Sequence, residues 1–164
     1  MDALLVVNTE ADRPAAAQVT EVLGDIVSRA RMTGGVLIFL SAPVPDAGPE
    51  DTTTSVYEVG EDELGIASAE ADAFDGIDDL APGLHDLGVD RIVLGGVDAI
   101  PQGGAPGGRG AVYQTAMAGL ALNFDVIVLG DATVTEMGPP VQWGDEAEAE
   151  GVMVRPTRDV WLRM

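Results

Sequence analysis

Ala3-Leu-Leu-Val-Val7 is an unbroken apolar run that stops at Asn8. A strand with one wet face alternates apolar and polar residues. A run that is apolar at every position suits a strand covered on both faces, as in a parallel sheet between two helical layers. Gly35-Val-Leu-Ile-Phe-Leu40, Arg91-Ile-Val-Leu-Gly-Gly96 and Asp125-Val-Ile-Val-Leu-Gly130 read the same way. Between them the period changes. Pro14, tolerated in a first helical turn, opens a stretch in which Val19, Val22, Leu23, Ile26 and Ala30 recur at helical spacing, closed by Gly34 and Gly35. Leu80–Leu87 is a second helix with Gly88 at its C′ position, and Ala111–Leu122 is a third. A helix around Glu146–Glu150 and a short strand at Val152–Val154 complete the pattern. Residues 41–62, with three prolines and many acids and threonines, read as a loop carrying a short strand at Val56–Tyr57. Residues 98–110 read as a glycine-rich loop inside the domain.

Strand and helix in alternation predict an α/β fold: three αβα layers around a Rossmann-like, doubly wound, mostly parallel sheet. There is no internal repeat and no linker, so residues 1–164 are expected to form one domain. In such sheets ligands sit beyond the carboxyl ends of the strands.

Charge dominates the composition. Asp and Glu number 28 against 8 arginines; lysine is absent and the formal net charge is −20. A disordered acidic tail would concentrate its charge and lack apolar residues, whereas these acids are spread between apolar runs. The expected arrangement is an acidic surface around a folded core. Such a surface repels itself in dilute buffer, and molar salt, with a Debye length of about 3 Å, screens it. Keeping arginine while excluding lysine resembles proteins of salt-accumulating haloarchaea. The same balance argues against nucleic acid and anionic membranes, which need clustered basic residues. No apolar stretch is long enough to span a bilayer. The opening MDALLVV has no basic region or small-residue cleavage site, so no export leader is expected, and a cytoplasmic location in a high-salt cell follows. Cysteine is absent as well, which excludes disulfides and thiol chemistry.

Several strand ends, taken in order, resemble one family. Leu-Leu-Val-Val-Asn-Thr-Glu-Ala-Asp (residues 4–12) is similar to the opening strand of the isochorismatase-like cysteine hydrolases, which include nicotinamidases and N-carbamoylsarcosine amidases. Ala73-Phe74 and the helix to Leu87-Gly88-Val89 are similar to its Ser-Ala-Phe segment and helix end. Arg91–Val97 resembles the strand leading to the nucleophile. Thr115-Ala116 with Ala118 resembles the nucleophile helix, and Asp125–Ala132 the next strand with its Asp-Ala end. The resemblance runs from about residue 3 to 155, in order.

The resemblance implies a cysteine nucleophile, an aspartate base and a supporting lysine. Carried over by position, the aspartate falls on Asn8, the lysine on Ser68 and the cysteine on Ala111. An asparagine is no base at neutral pH, an alanine no nucleophile, a serine no cation. The family's true isochorismatases also lack the cysteine, but they keep the aspartate and lysine. The nicotinamidase metal site is missing too: Ser41-Ala-Pro-Val-Pro-Asp46 stands where its histidines would be. The only histidine, His85, reads as a surface residue. No metal and no cofactor are expected. Glu10, Asp12, Phe74 and Arg109 are candidate binding residues near the old pocket, Arg109 as the charge of the glycine-rich loop. That loop lacks the Gly-Lys-Ser/Thr ending of a phosphate-binding loop. Glu10, Asp12, Asp98 and Asp131 follow strands and could gather at the carboxyl edge for acid–base work. The leading expectation is a non-catalytic structural or binding subunit. Its partners would be copies of itself or another protein, in a larger assembly such as a virion. Alternatives are a small molecule in the vestigial pocket, or a divergent carboxylate-based hydrolase of amide, carbamoyl or isochorismate-type substrates.

Overall fold

The computed structural model describes residues 1–44, 46, 55–100 and 109–162. In chain order the elements are β1 (Asp2–Val7), a 3-10 turn (Pro14–Gln18), α1 (Thr20–Thr33), β2 (Val36–Ser41), β3 (Leu64–Ala67), α2 (Ala73–Gly76), α3 (Leu80–Asp86), β4 (Arg91–Asp98), α4 (Ala111–Ala121), β5 (Asp125–Thr135), α5 (Gly144–Glu150), β6 (Met153–Arg155) and a final 3-10 turn (Thr157–Asp159). Six strands form one sheet in the order β3-β2-β1-β4-β5-β6, and every adjacent pair is parallel.

The continuous apolar runs bury both faces. Alternate residues of β1 point opposite ways: Ala3, Leu5 and Val7 enter one core and Leu4 and Val6 the other. The first core joins Ile38, Leu40, Ile92 and Leu94 to Leu80 and Leu84 of α3 and to Val112 and Ala116 of α4. The second joins Leu37, Phe39 and Val93 to Leu23, Ile26, Val27 and Ala30 of α1. The predicted three layers are therefore present, with a fully parallel sheet. A partly buried ion pair marks the amino end: Arg91 Nε lies 3.0 Å from Asp2 Oδ1, joining β4 to β1.

Three elements depart from the sequence expectation. The stretch from Pro14 is a 3-10 turn and then α1, with the break at Val19. Val56 and Tyr57 form a bend, not a strand. Tyr57 stacks on Phe39 at 5.9 Å between ring centroids, and its hydroxyl donates to the Thr20 carbonyl, so it caps a core instead of pairing with the sheet. The edge strand is β3, a four-residue Leu-Gly-Ile-Ala segment too short and too glycine-interrupted to show as a run. Residues 45 and 47–54 of the predicted 41–62 loop, and residues 101–108 of the glycine-rich segment, lie outside the described residues.

β5 also runs past its predicted end at Gly130. Its pairing with β4 shifts: Val128 faces Leu94 but Thr133 faces Gly96. The extra residues bulge out at Asp131, and pairing resumes to Thr135. Gly96 makes this corner possible. Its φ is 129°, and a Cβ there would overlap the Val7 carbonyl of β1.

Candidate functional site

The chain runs outward from β1 through β2 to β3, then restarts at β4 and runs outward through β5 to β6. The strand order therefore reverses between β1 and β4. A crevice beyond the carboxyl ends of such strands is the usual ligand position. Asn8 follows β1 at that point, and Asp98 ends β4.

Asn8 is fully buried, at 0% exposure, in a left-handed backbone conformation (φ 56°) that asparagine tolerates. Its side chain bridges three strand ends. Nδ2 donates to the Ala42 carbonyl after β2 (2.7 Å) and to the Val97 carbonyl of β4 (3.1 Å), while Oδ1 accepts from the Ala42 amide (2.8 Å). Both amide hydrogens are used. The group acts as a neutral clip across the point of strand reversal.

Ser68, also at 0% exposure, follows β3. Its backbone amide donates to the Ser41 carbonyl at 2.8 Å, and its hydroxyl to the Glu70 carbonyl at 2.7 Å. Ala111, again at 0%, opens α4 with its amide donated to the Ala99 carbonyl at 2.8 Å. Asn8 and Ser68 thus follow strand ends and Ala111 opens a helix, and each is held by hydrogen bonds to other segments or to the adjoining backbone. Thr115 ties α4 to the start of α2, accepting from the Ala73 amide at 3.0 Å.

The carboxylates do not gather. Glu10 accepts from Ser41 and pairs with Arg13 at 3.2 Å. Asp12 is exposed. Asp131 accepts from the Thr157 amide and hydroxyl at 2.8 and 2.7 Å, fastening the final turn to β5. Among the described residues, no group of three or more His, Asp or Glu is placed to hold a metal ion. Phe74 stacks on Phe124 at 5.7 Å. Arg109 lies over the Tyr113 ring at 5.3 Å and pairs with Glu146 of α5. His85 is exposed and stacks on Phe124 at 4.3 Å.

Asp98 stands apart. It is 3% exposed, and four donors converge on its carboxylate. Oδ1 accepts from the Val112 and Tyr113 amides at 2.9 and 3.1 Å; Oδ2 accepts from the Gly110 amide at 3.0 Å and the Trp143 indole at 2.8 Å. Burial pushes its carboxyl above the usual range, against the pull of these donors. The amides at a helix start are unsatisfied within the helix and favour negative charge, and here the chain's own carboxylate meets them. Trp143 had no sequence signal: it lies in a short irregular segment, and only the fold brings it to Asp98.

No family model matches the chain, and no curated protein matches it by sequence. Solved structures do match. The N-carbamoylsarcosine amidase from Thermoplasma acidophilum superposes with a TM-score of 0.72 at 18% identity, covering 97% of this chain and 98% of that one. An isochorismatase family protein from Desulfovibrio vulgaris gives 0.72 at 18%, covering 96% and 94%. The pyrazinamidase of Pyrococcus horikoshii, solved with zinc, gives 0.69 at 19%, covering 94% and 98%. Likeness at this identity is likeness of fold, and over nearly its whole length the chain has the isochorismatase-like α/β fold.

Proposed function

We propose that this chain is a non-catalytic isochorismatase-like protein that serves as a structural or binding subunit. The carrying observation is the state of the three positions that the resemblance aligns with base, lysine and nucleophile. They are Asn8, Ser68 and Ala111, all fully buried, and the hydrogen-bonding groups of Asn8 are spent on strand ends. A general base must reach a substrate proton, and a nucleophile needs a reactive atom. Neither condition is met here. The separate placement of Glu10, Asp12, Asp98 and Asp131 also weighs against the carboxylate-based hydrolase.

In this reading the protein associates with itself or with another protein in a halophile's cytoplasm or in an assembly made there. The excess of 28 acids over 8 arginines, with no lysine, supports salt adaptation. Assay of the purified protein in molar KCl against nicotinamide, carbamoyl and isochorismate-type substrates tests the central claim. The expected result is no turnover above background, and turnover abolished by Asp98→Asn would restore the hydrolase reading. Light scattering in the same salt is expected to show an oligomer or a partner-bound species. The melting temperature is expected to rise between low and molar salt, since screening removes self-repulsion; a flat dependence would remove the salt-adaptation argument.

A further inference from the structure

The outer side of α4 breaks the charge pattern of the rest of the chain. Residues 110–124 are the longest stretch without a charged residue. The other long uncharged stretch, residues 32–45, holds the buried strand β2. This one is a helix with an outward face. Tyr113, Gln114, Met117 and Ala118 are half-buried there, and Ala121 and Leu122 are exposed. Their spacing makes two ridges in steps of four, 113-117-121 and 114-118-122, of the kind that packs against another helix. Ala118 and Ala121 are small enough to let a partner helix come close. The helices elsewhere are charged where they face solvent: α1 exposes Glu21, Asp25 and Arg31, and α5 exposes Asp145, Glu146, Glu148 and Glu150. Where α5 borders the stripe, Arg109 lies over the Tyr113 ring and pairs with Glu146, so that acid is neutralised. At the other end, His85 Nε2 of α3 lies 3.2 Å from the Leu122 carbonyl, and Leu87, two residues on, is 56% exposed.

We propose that this stripe is the face on which a second copy of the chain docks, α4 against α4. Charge selects the occupant. Two copies at a formal −20 each repel one another across any acid-bearing face. In a two-fold contact a patch meets itself, so an acidic patch meets its own acids and a charge-free patch does not. The stripe is also complementary to itself in hydrogen bonding, since the Gln114 amide offers both a donor and an acceptor. A basic partner would instead be drawn to the acids of α5 and gain nothing from α4. This inference rests on the subunit reading and names its partner and its face. Molar salt screens the remaining repulsion between the two copies, so the dimer strengthens as salt rises.

The test is sedimentation equilibrium of the full chain in molar KCl. Ala118→Glu places a carboxylate at the centre of the stripe on both copies and should weaken the dimer about tenfold or more. Met32→Glu adds the same charge to α1 at a position that is 85% exposed, and should leave the dimer as it is. A second measurement covers the case in which Ala118→Glu does not fold. The chain has no cysteine, so Ala118→Cys carries a single thiol. A short bis-maleimide should join two Ala118→Cys copies in molar KCl while Met32→Cys stays unlinked. Loss of the dimer in Ala118→Glu alone, or linkage at position 118 alone, supports the proposal. An oligomer that Ala118→Glu leaves intact, or equal linkage at both positions, overturns the face while self-association stands. A parent that stays monomeric in molar KCl, which would leave the stripe to a different protein, overturns the proposal together with the self-associating subunit.

Discussion

Two corners of the same sheet edge are closed by opposite means. At the end of β1, Asn8 uses a neutral amide whose donors meet two carbonyls and whose acceptor meets one amide. At the end of β4, Asp98 uses a charge whose two oxygens meet four N–H groups. The chemistry of the partners dictates the difference. Strand ends present carbonyls and need a donor. A helix start presents amides and needs an acceptor. Exchanging the two residue types would leave like facing like at both corners.

The sharpest way to break this comparison is Asn8→Asp, which also restores the residue type that the family resemblance places there. The new carboxylate would face the Ala42 and Val97 carbonyls without a hydrogen to offer. Burying such a mismatch should cost about 3 kcal/mol or more. Protonation relieves it, so the penalty should shrink as pH falls through and below the variant's raised pKa. Denaturant melts at several pH values measure both effects, and a cost below that of a surface substitution would show that Asn8 is not the clip described.

Asp98→Asn comes next. The replacement keeps the shape but turns an amide NH2 toward the backbone donors, at a cost of about 2 kcal/mol. Here pH carries a definite sign. Burial raises the folded-state carboxyl above its unfolded value, so its contribution is fully present below the unfolded pKa and is lost as pH rises through the folded pKa. The stability of the parent relative to Asp98→Asn should therefore decline as pH climbs across that window. The Asn8 corner has no titrating group, so parent minus Asn8→Ala should be flat over the same range. Equal slopes at the two corners would contradict the assignment.

The smallest effect belongs to Arg109→Ala. Arg109 is exposed and pairs with Glu146 beside the charged corner. Exposed pairs are screened by salt and contribute little. In molar KCl the variant should melt with the parent; a marked drop would mean that this pair, and not Asp98, holds α4 to α5.

Legibility followed the kind of interaction. The runs at 3–7, 35–40, 91–96 and 125–130 are apolar at nearly every position, and all four proved to be central strands. β3 was illegible because Leu64–Ala67 is short, holds a glycine and gains its strand character only by pairing with β2. The end of β5 was misread because the bulge at Asp131 depends on the Gly96 corner of its neighbour. Of the candidate site, the identities Asn8, Ser68 and Ala111 came from motif order alone, but nothing in that order says that Asn8 bridges three strand ends.

The sequence by itself determined the α/β class, the doubly wound sheet, the acidic surface and the absence of thiol and lysine chemistry. These depend on local periodicity and on composition, which a linear chain displays. Only the tertiary structure decided that the strand-reversal point is tied shut and that Asp98 and Trp143 meet at α4. Those contacts join residues 45 and 89 positions apart, and hydrogen-bond partnership over such separations exists only once the sheet has brought the strand ends together.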